Sequence, residues 1–304
     1  MCFKFKDLGR LFKTALNSWF DKDPFRQSAA VAYYSVFSLP ALLVIIIAIS
    51  GFFFGEAAIS GEIFNQVSNI MGPDTAEQVE IMVIKASTSS RSVWATVLGL
   101  IVLLFGATGV FAELQRSLNT VWGVKTSPKK GNKVFLYFRT RLFSFGLILS
   151  IGFLLLISLV IDSLLAMTST YLHSYWPDGV IVAFHVINFI VSIATISVLF
   201  AAMFKFLPDA KIKLRCVWTG SIVTAILFTL GKYLLGIYFG KATPESNYGA
   251  AGSIVLIMLW TSYSSIILFF GAEITKATSD LYIGHVTPGK YGVKFEEKII
   301  GEDA

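Results

Sequence analysis

Four polar side chains interrupt the long apolar runs of this chain: Asp162, His185, Asn188 and Lys232. Polar groups at such depth are costly in a bilayer, so each needs a reason to be there. An acid, an imidazole, an amide and an amine at similar depth would build a polar cavity or a headgroup site. The plainer reading is that Asp162 reaches water, Lys232 snorkels, and His185 and Asn188 bond across helices. Both readings stand. A second set is Glu113, Arg116, Arg141, Lys205 and Glu273, with the two acids closing apolar runs. It is either a structural belt of ion pairs or a cytoplasmic gate whose pairs break on opening.

Hydroxyls and one proline form a third set. Pro40 removes a backbone donor within an apolar run and disturbs the carbonyl of Val36. Ser35 and Ser38 are placed to satisfy the freed groups, with Tyr33 and Tyr34 nearby. Broken helices often mark substrate sites in transporters, and a simple kink is the alternative. Thr261, Ser262, Tyr263, Ser264 and Ser265 put five hydroxyls in a row inside another apolar run. They cannot all face lipid favourably, so some must point inward, to line a cavity or to support packing. Gly236 with Gly240, Gly249 with Gly252, and Gly106 with Gly109 are expected to let helices approach closely.

Recognisable catalytic patterns are absent. His173, His185 and His285 lie far apart in sequence, and the acids show no paired motif. A metal site would need such a cluster, so neither a metal nor another cofactor is expected. There is no Walker loop and no G-x-S-x-G, hence no sign of ATP use or hydrolase chemistry.

These positions need a frame, and the apolar runs supply it. Of 304 residues, 55% are hydrophobic and 14% charged. A soluble domain carries roughly 25% charged residues. The apolar residues collect in runs of about 20 or more, long enough to cross a hydrocarbon core of roughly 30 Å as helix. The expected fold is all-α and polytopic, with spans near 29–54, 93–113, 142–166, 180–204, 216–239 and 249–273. The first run exceeds the apolar core of a cleavable signal and reads as a span.

Charge then gives direction. Segments on one side hold Lys4, Lys6, Arg10, Lys13, Lys22 and Arg26, then Arg116, Lys125, Lys129, Lys130, Lys133, Arg139 and Arg141, and later Lys205, Lys211, Lys213 and Arg215. The tail adds Lys276, Lys290, Lys294 and Lys298, leaving Lys85, Arg91 and Lys241 for the other side. The positive-inside rule places both termini in the cytoplasm. On this orientation Asp162, His185, Asn188 and Lys232 share the outer half of the membrane. Glu113 and Glu273 lie at the inner face. The net charge of +6 then serves orientation and anionic lipid, and nucleic acid is not an expected partner.

Outside the spans, Leu8, Leu11, Phe12, Ala15, Leu16, Trp19 and Phe20 recur at helical spacing. Residues 1–28 therefore read as a cytoplasmic segment with an interfacial amphipathic helix, for anchoring or for a partner. Residues 29–274 form the membrane domain, and 275–304 a cytoplasmic tail expected to be poorly ordered. Short external helices are expected within 55–92. Cys2 and Cys216 fall near the cytoplasmic face, where no structural disulfide is expected.

Several segments resemble the YihY / virulence factor BrkB family of bacterial inner-membrane proteins. They are AAVAYYSVFSLPA at 29–41, LNTVWGV at 118–124, Arg141 with Ser144, FLP at 206–208, and YGAAGSIVLIMLWTSYSSIILFFGAE at 248–273. The likeness covers roughly residues 15–280. It implies six membrane helices in the bacterial cytoplasmic membrane and no settled activity. An old ribonuclease label for the family is regarded as misassigned. Later suggestions concern envelope lipid or lipopolysaccharide transport and serum resistance. The favoured reading is a non-enzymatic, nucleotide-independent transporter or flippase for an envelope lipid or another amphipathic substrate. A non-catalytic scaffold and a membrane-embedded enzyme are the alternatives. Membrane lipids are the expected partners, anionic or lipopolysaccharide-type among them. A homo-oligomer is left open.

Overall fold

The structure, a computed structural model, describes residues 8–38, 109–126, 178–242 and 252–282, with shorter stretches within 60–84 and 284–295. Its elements are α1 (Leu8–Phe20), α2 (24–38), α3 (109–121), β1 (Val124–Thr126), α4 (Asp178–Phe206), β2 (Ala210–Lys211), α5 (Leu214–Ala242), α6 (Gly252–Tyr282), β3 (Thr287–Pro288) and β4 (Gly292–Lys294). Scattered residues between 60 and 84 are also helical.

Among the described residues, α4, α5 and α6 are long and apolar enough to cross a membrane. A helix satisfies its own backbone donors and acceptors, which hydrocarbon cannot do. These helices match the last three expected spans. Residues 29–38 of the first expected span lie in α2, and 109–113 of the second lie in α3. The remainder of those two spans, and all of 142–166, lie outside the described residues.

The chain divides into two compact units. The first comprises residues 1–23, 115–226 and 268–304, and the second 24–114 and 227–267. In the first, Leu118, Phe204, Ile212, Val217 and Phe269 are fully buried. In the second, Ser28, Val31, Ala32, Ser35 and Ser38 form the buried face of α2, while Tyr33, Tyr34 and Phe37 are exposed. The ring of Tyr34 lies against Gly109 of α3, where a Cβ would come within 3.1 Å of it.

Within the first unit α5 and α6 interlock through two glycine notches. A Cβ on Gly220 would overlap Thr275 Oγ1, and a Cβ on Gly271 would overlap Thr224 Oγ1. Each threonine donates back to its own helix, Thr224 to the Gly220 carbonyl at 2.6 Å and Thr275 to the Gly271 carbonyl at 2.9 Å. The hydroxyls are thus satisfied while their side chains fill the space the opposite glycine leaves. The pairing order shows the two helices antiparallel. Small residues let membrane helices approach in this way, where apolar burial offers little drive. Gly236, one half of the expected G-x-x-x-G, has nothing within 4 Å of a Cβ. Its repeat spacing does not mark a close contact among the described residues.

The described residues of the tail continue the last helix and add two short strands. The last helix runs past the expected end at 273, because Thr275, Thr278 and Ser279 are buried and bonded. It closes at Gly284, whose left-handed backbone (φ 99°) lets its N–H reach the Ser279 carbonyl at 2.9 Å. Beyond it β3 pairs antiparallel with β2, and β4 with β1. The tail thereby adds strands to two loops, which satisfies their backbone groups.

The glycine notches make a direct prediction. Gly271→Ala lowers stability by about 1–3 kcal/mol, the usual cost of overpacking. The same substitution costs less in a Thr224→Gly background, where the notch has no occupant. Denaturant unfolding of the four proteins of this cycle in one detergent checks it, and additive losses would refute the notch.

Candidate functional site

Glu273 lies on α6 at 1% exposure, and an unpaired carboxylate there would be very costly. Its partner is Lys22, in the turn that ends α1. Lys22 Nζ stands 2.5 Å from Glu273 Oε1. The same ammonium donates to Ser18 Oγ at 3.2 Å and to the Val121 carbonyl at 3.0 Å. Val121 is at the C-terminal end of α3, where carbonyls lack helical partners and favour cations. One side chain with three donors therefore ties the end of α1, the end of α3 and the middle of α6.

The turn that aims Lys22 follows from local sequence. Asp21, Lys22 and Asp23 close the end of α1 through N–H bonds to the carbonyls of Asn17, Trp19 and Phe20. Asp23 takes a left-handed φ of 48°, which Asp tolerates better than most residues. Pro24 then begins α2, a favoured first helical position for proline. Trp19 lies edge-on to Phe270 with centroids 5.7 Å apart, and Phe12 lies 5.2 Å from the same ring.

Burial pulls the Lys22 amine below the ordinary lysine value; the negative charge of Glu273 opposes this and the positive charge of Lys276 adds to it. The sign for stability follows. Between the lowered folded value and the unfolded value near 10.5, the unfolded chain binds more protons. The contribution of this lysine to stability therefore rises with pH across that alkaline window.

A second centre forms around Asp209, just after α4. Its Oδ2 accepts from Thr126 Oγ1 at 2.8 Å, Asn119 Nδ2 at 3.3 Å and Gln115 Nε2 at 3.4 Å. Its N–H donates to Asn119 Oδ1 at 2.7 Å, and its carbonyl accepts from Gly289 N–H at 2.7 Å. The carboxylate is held by neutral donors, with no ion pair among the described residues. Asn119 belongs to the segment 118–124, and Asp209 follows the FLP at 206–208. Two separate segments and the tail thus meet in one network. Gly123 (φ 62°) ends α3, and its carbonyl accepts from Phe295 N–H at 2.8 Å. Lys125 Nζ lies 5.1 Å from the centre of the Phe295 ring.

The other residues singled out in the sequence scatter. Lys205 donates to the Ile212 carbonyl at 2.5 Å and closes the loop after α4. Arg116 is exposed and Glu113 half-buried. Lys232 is exposed on α5 beside exposed Tyr233 and Tyr238, the surroundings of an interfacial anchor. Ser262 donates to Ser28 Oγ at 3.3 Å, and Ser38 to the Ser35 carbonyl at 3.4 Å. The Tyr263 hydroxyl fills the notch above Gly231. Tyr33 and Tyr34 pack edge to face, with centroids 5.7 Å apart. The backbone at His185 and Asn188 lies in α4, while Pro40, Arg141 and Asp162 lie outside the described residues. No group of three metal-binding side chains occurs among the described residues.

Neither the pairing of Lys22 with Glu273 nor the network of Asn119, Thr126 and Asp209 is anticipated from the sequence. Lys22 reads in sequence as one basic residue among many on its side of the membrane. A lone acid in a basic loop at Asp209 was the available signal.

Comparison with known proteins places this chemistry among membrane proteins. The family described as virulence factor BrkB matches residues 15–288. A UPF0761 membrane protein of Saccharophagus degradans is 23% identical over 279 residues, covering 91% of this chain and 61% of the relative. One from Mannheimia succiniciproducens is 24% identical over 271 residues, covering 86% of this chain and 87% of the relative. One from Verminephrobacter eiseniae is 28% identical over 188 residues, covering 61% of this chain and 42% of the relative. The chain thus spans about half the length of several curated relatives that it matches. No solved structure matches it.

Two predictions follow from the two centres. Lys22→Met strands a buried carboxylate and costs about 3–5 kcal/mol, whereas Lys22→Met with Glu273→Met returns most of that loss. Thermal unfolding of the single and double variants in detergent reads the difference. Asp209→Ala costs about 1.5–3 kcal/mol, typical for hydrogen bonds to a charged group. It also raises amide hydrogen exchange in 284–295, and unchanged exchange there would show that the tail is held independently.

Proposed function

This chain belongs to the virulence factor BrkB family, and from that premise we propose that it moves an envelope lipid or a similar amphipath between leaflets without nucleotide. We place it in the bacterial cytoplasmic membrane with both termini in the cytoplasm. The basic residues of its loops and ends support that orientation.

One observation carries the reading. In the second unit Thr229 Oγ1 and Ser264 Oγ are buried and make no hydrogen bond among the described residues. A buried hydroxyl left unpaired costs about 1–3 kcal/mol, a cost that a visiting water or headgroup oxygen would remove. The same unit buries Ser28, Ser35, Ser38 and Ser265. Its interior therefore offers neutral donors and acceptors within an apolar frame. Such groups hold a polar headgroup weakly and exchange partners at small cost. Passage needs that balance, because a tight charged site would retain the headgroup rather than release it.

The physical step is solvation. A headgroup crossing hydrocarbon loses its water, and each hydroxyl replaces part of that loss. No bond is made or broken, so the driving force is the lipid gradient itself.

Proteoliposomes containing a fluorescent lipid in one leaflet test the proposal. Lipid redistribution is expected to exceed that of protein-free liposomes without ATP. Thr229→Val with Ser264→Ala is expected to slow it by about two- to ten-fold per lost hydrogen bond, with the fold retained. Rates equal to protein-free liposomes for every envelope lipid tried, under pH and ion gradients, would overturn transport.

A further inference from the structure

The first helix has more apolar surface than its contact with the protein uses. Leu11, Ala15 and Trp19 are buried, and at about 100° per residue they span roughly 80° of arc. Phe12, Leu16 and Phe20 continue the apolar surface over roughly the next 80°. Phe12 is 49% and Phe20 54% exposed, and Leu16 is half-buried. Beyond Phe20 the surface turns polar, through Lys13, Asn17 and Arg10, all exposed. Arg10 and Lys13 make no ion pair or hydrogen bond among the described residues.

We propose that this surplus face of α1, Phe12–Leu16–Phe20 bordered by Arg10 and Lys13, is a docking surface for an anionic lipid bilayer. Three observations select that occupant. The face lies beside a membrane-length helix, since Phe12 and Trp19 contact Phe270 within the span Ile254–Tyr282. The apolar arc and cationic border match the acyl and headgroup levels of an anionic leaflet. A second copy fits poorly, because α1 (LGRLFKTALNSWF) contains no acid to meet Arg10 and Lys13 across a two-fold axis. The helix is held on its other side by Lys22 and Trp19, so this face cannot simply roll under. The anchoring expected from the sequence thereby becomes a bifacial arrangement, with one face on protein and the next on lipid. It does not depend on lipid transport and can fail separately from it.

The test uses the full chain with Cys2→Ser, Cys216→Ala and Phe20→Cys, spin-labelled at position 20, in bilayer nanodiscs. The lipid is phosphatidylcholine, alone or with phosphatidylglycerol. Collisions of the label with oxygen and with a water-soluble nickel chelate report immersion. Phosphatidylglycerol is expected to shift the label towards oxygen and away from nickel. Each basic side chain contributes about a five-fold preference, so the two together give about 25-fold. Arg10→Gln with Lys13→Gln is expected to abolish the shift without changing the unfolding temperature. A label at Leu16→Cys repeats the measurement if the Phe20 variant is poorly folded. Three results would overturn the proposal: a label open to nickel in both lipids, equal immersion in both, or shielding from both reagents, which would mean a covering protein.

Discussion

The carboxylate of Glu273 is out of reach of water, and among the described residues the cation paired with it is Lys22. Desolvating either charge alone would be prohibitive, so the two positions are fixed together. Lys22 is carried by the turn that ends α1. The ion pair therefore decides where α1 sits, and through the Val121 carbonyl it also fixes the end of α3. The remaining bonds of the ammonium go to neutral oxygens, which leaves none of its donors idle. Apolar contacts of Trp19 and Phe12 with Phe270 then act on a geometry already set by charge.

Around this pair, the first unit uses three different solutions to one problem. Polar backbone and side-chain groups must be satisfied where water is scarce. At Gly220 and Gly271 the helices come close, and threonines turn their hydroxyls back to their own carbonyls. At Asp209 a carboxylate gathers neutral amide and hydroxyl donors from α3 and β1. In the tail, two- and three-residue strands close loop edges that would otherwise present unpaired groups. Each solution uses small or short side chains, which cost little entropy to hold.

Run length made α4, α5 and α6 legible in the sequence, because a bilayer sets a minimum span and allows few charges within it. Glu273 was legible as a polar group with a structural purpose, but its partner was not. Depth alone suggested Arg116, Arg141 or Lys205, whereas Lys22 lies 251 residues away along the chain. Charge counting assigns a side of the membrane and says nothing about who pairs with whom. The Asp209 network was hidden for a related reason: its donors are uncharged and come from separate segments. Strands as short as β2 and β3 carry no period to detect. The glycine notches lacked the repeated-glycine signature, since each helix contributes one glycine and a threonine four residues later, which fills the notch of the opposite helix.

Both units bury hydroxyls, and the described ion pair lies in the first. Alongside several buried hydroxyls, the first holds that ion pair and a hydrogen-bonded carboxylate. Such contacts resist rearrangement, because losing one partner exposes the other's full desolvation cost. The second buries neutral hydroxyls, two of which have no hydrogen-bond partner among the described residues. A hydroxyl both donates and accepts, rotates freely and loses little when partners exchange. The proposed transport calls for both kinds of interior, one that holds helices fixed and one that lets polar groups pass. The ion pair and the glycine notches answer the first requirement. In that proposal the neutral hydroxyls of α2, α5 and α6 answer the second, since a neutral group would let a headgroup leave as readily as it enters.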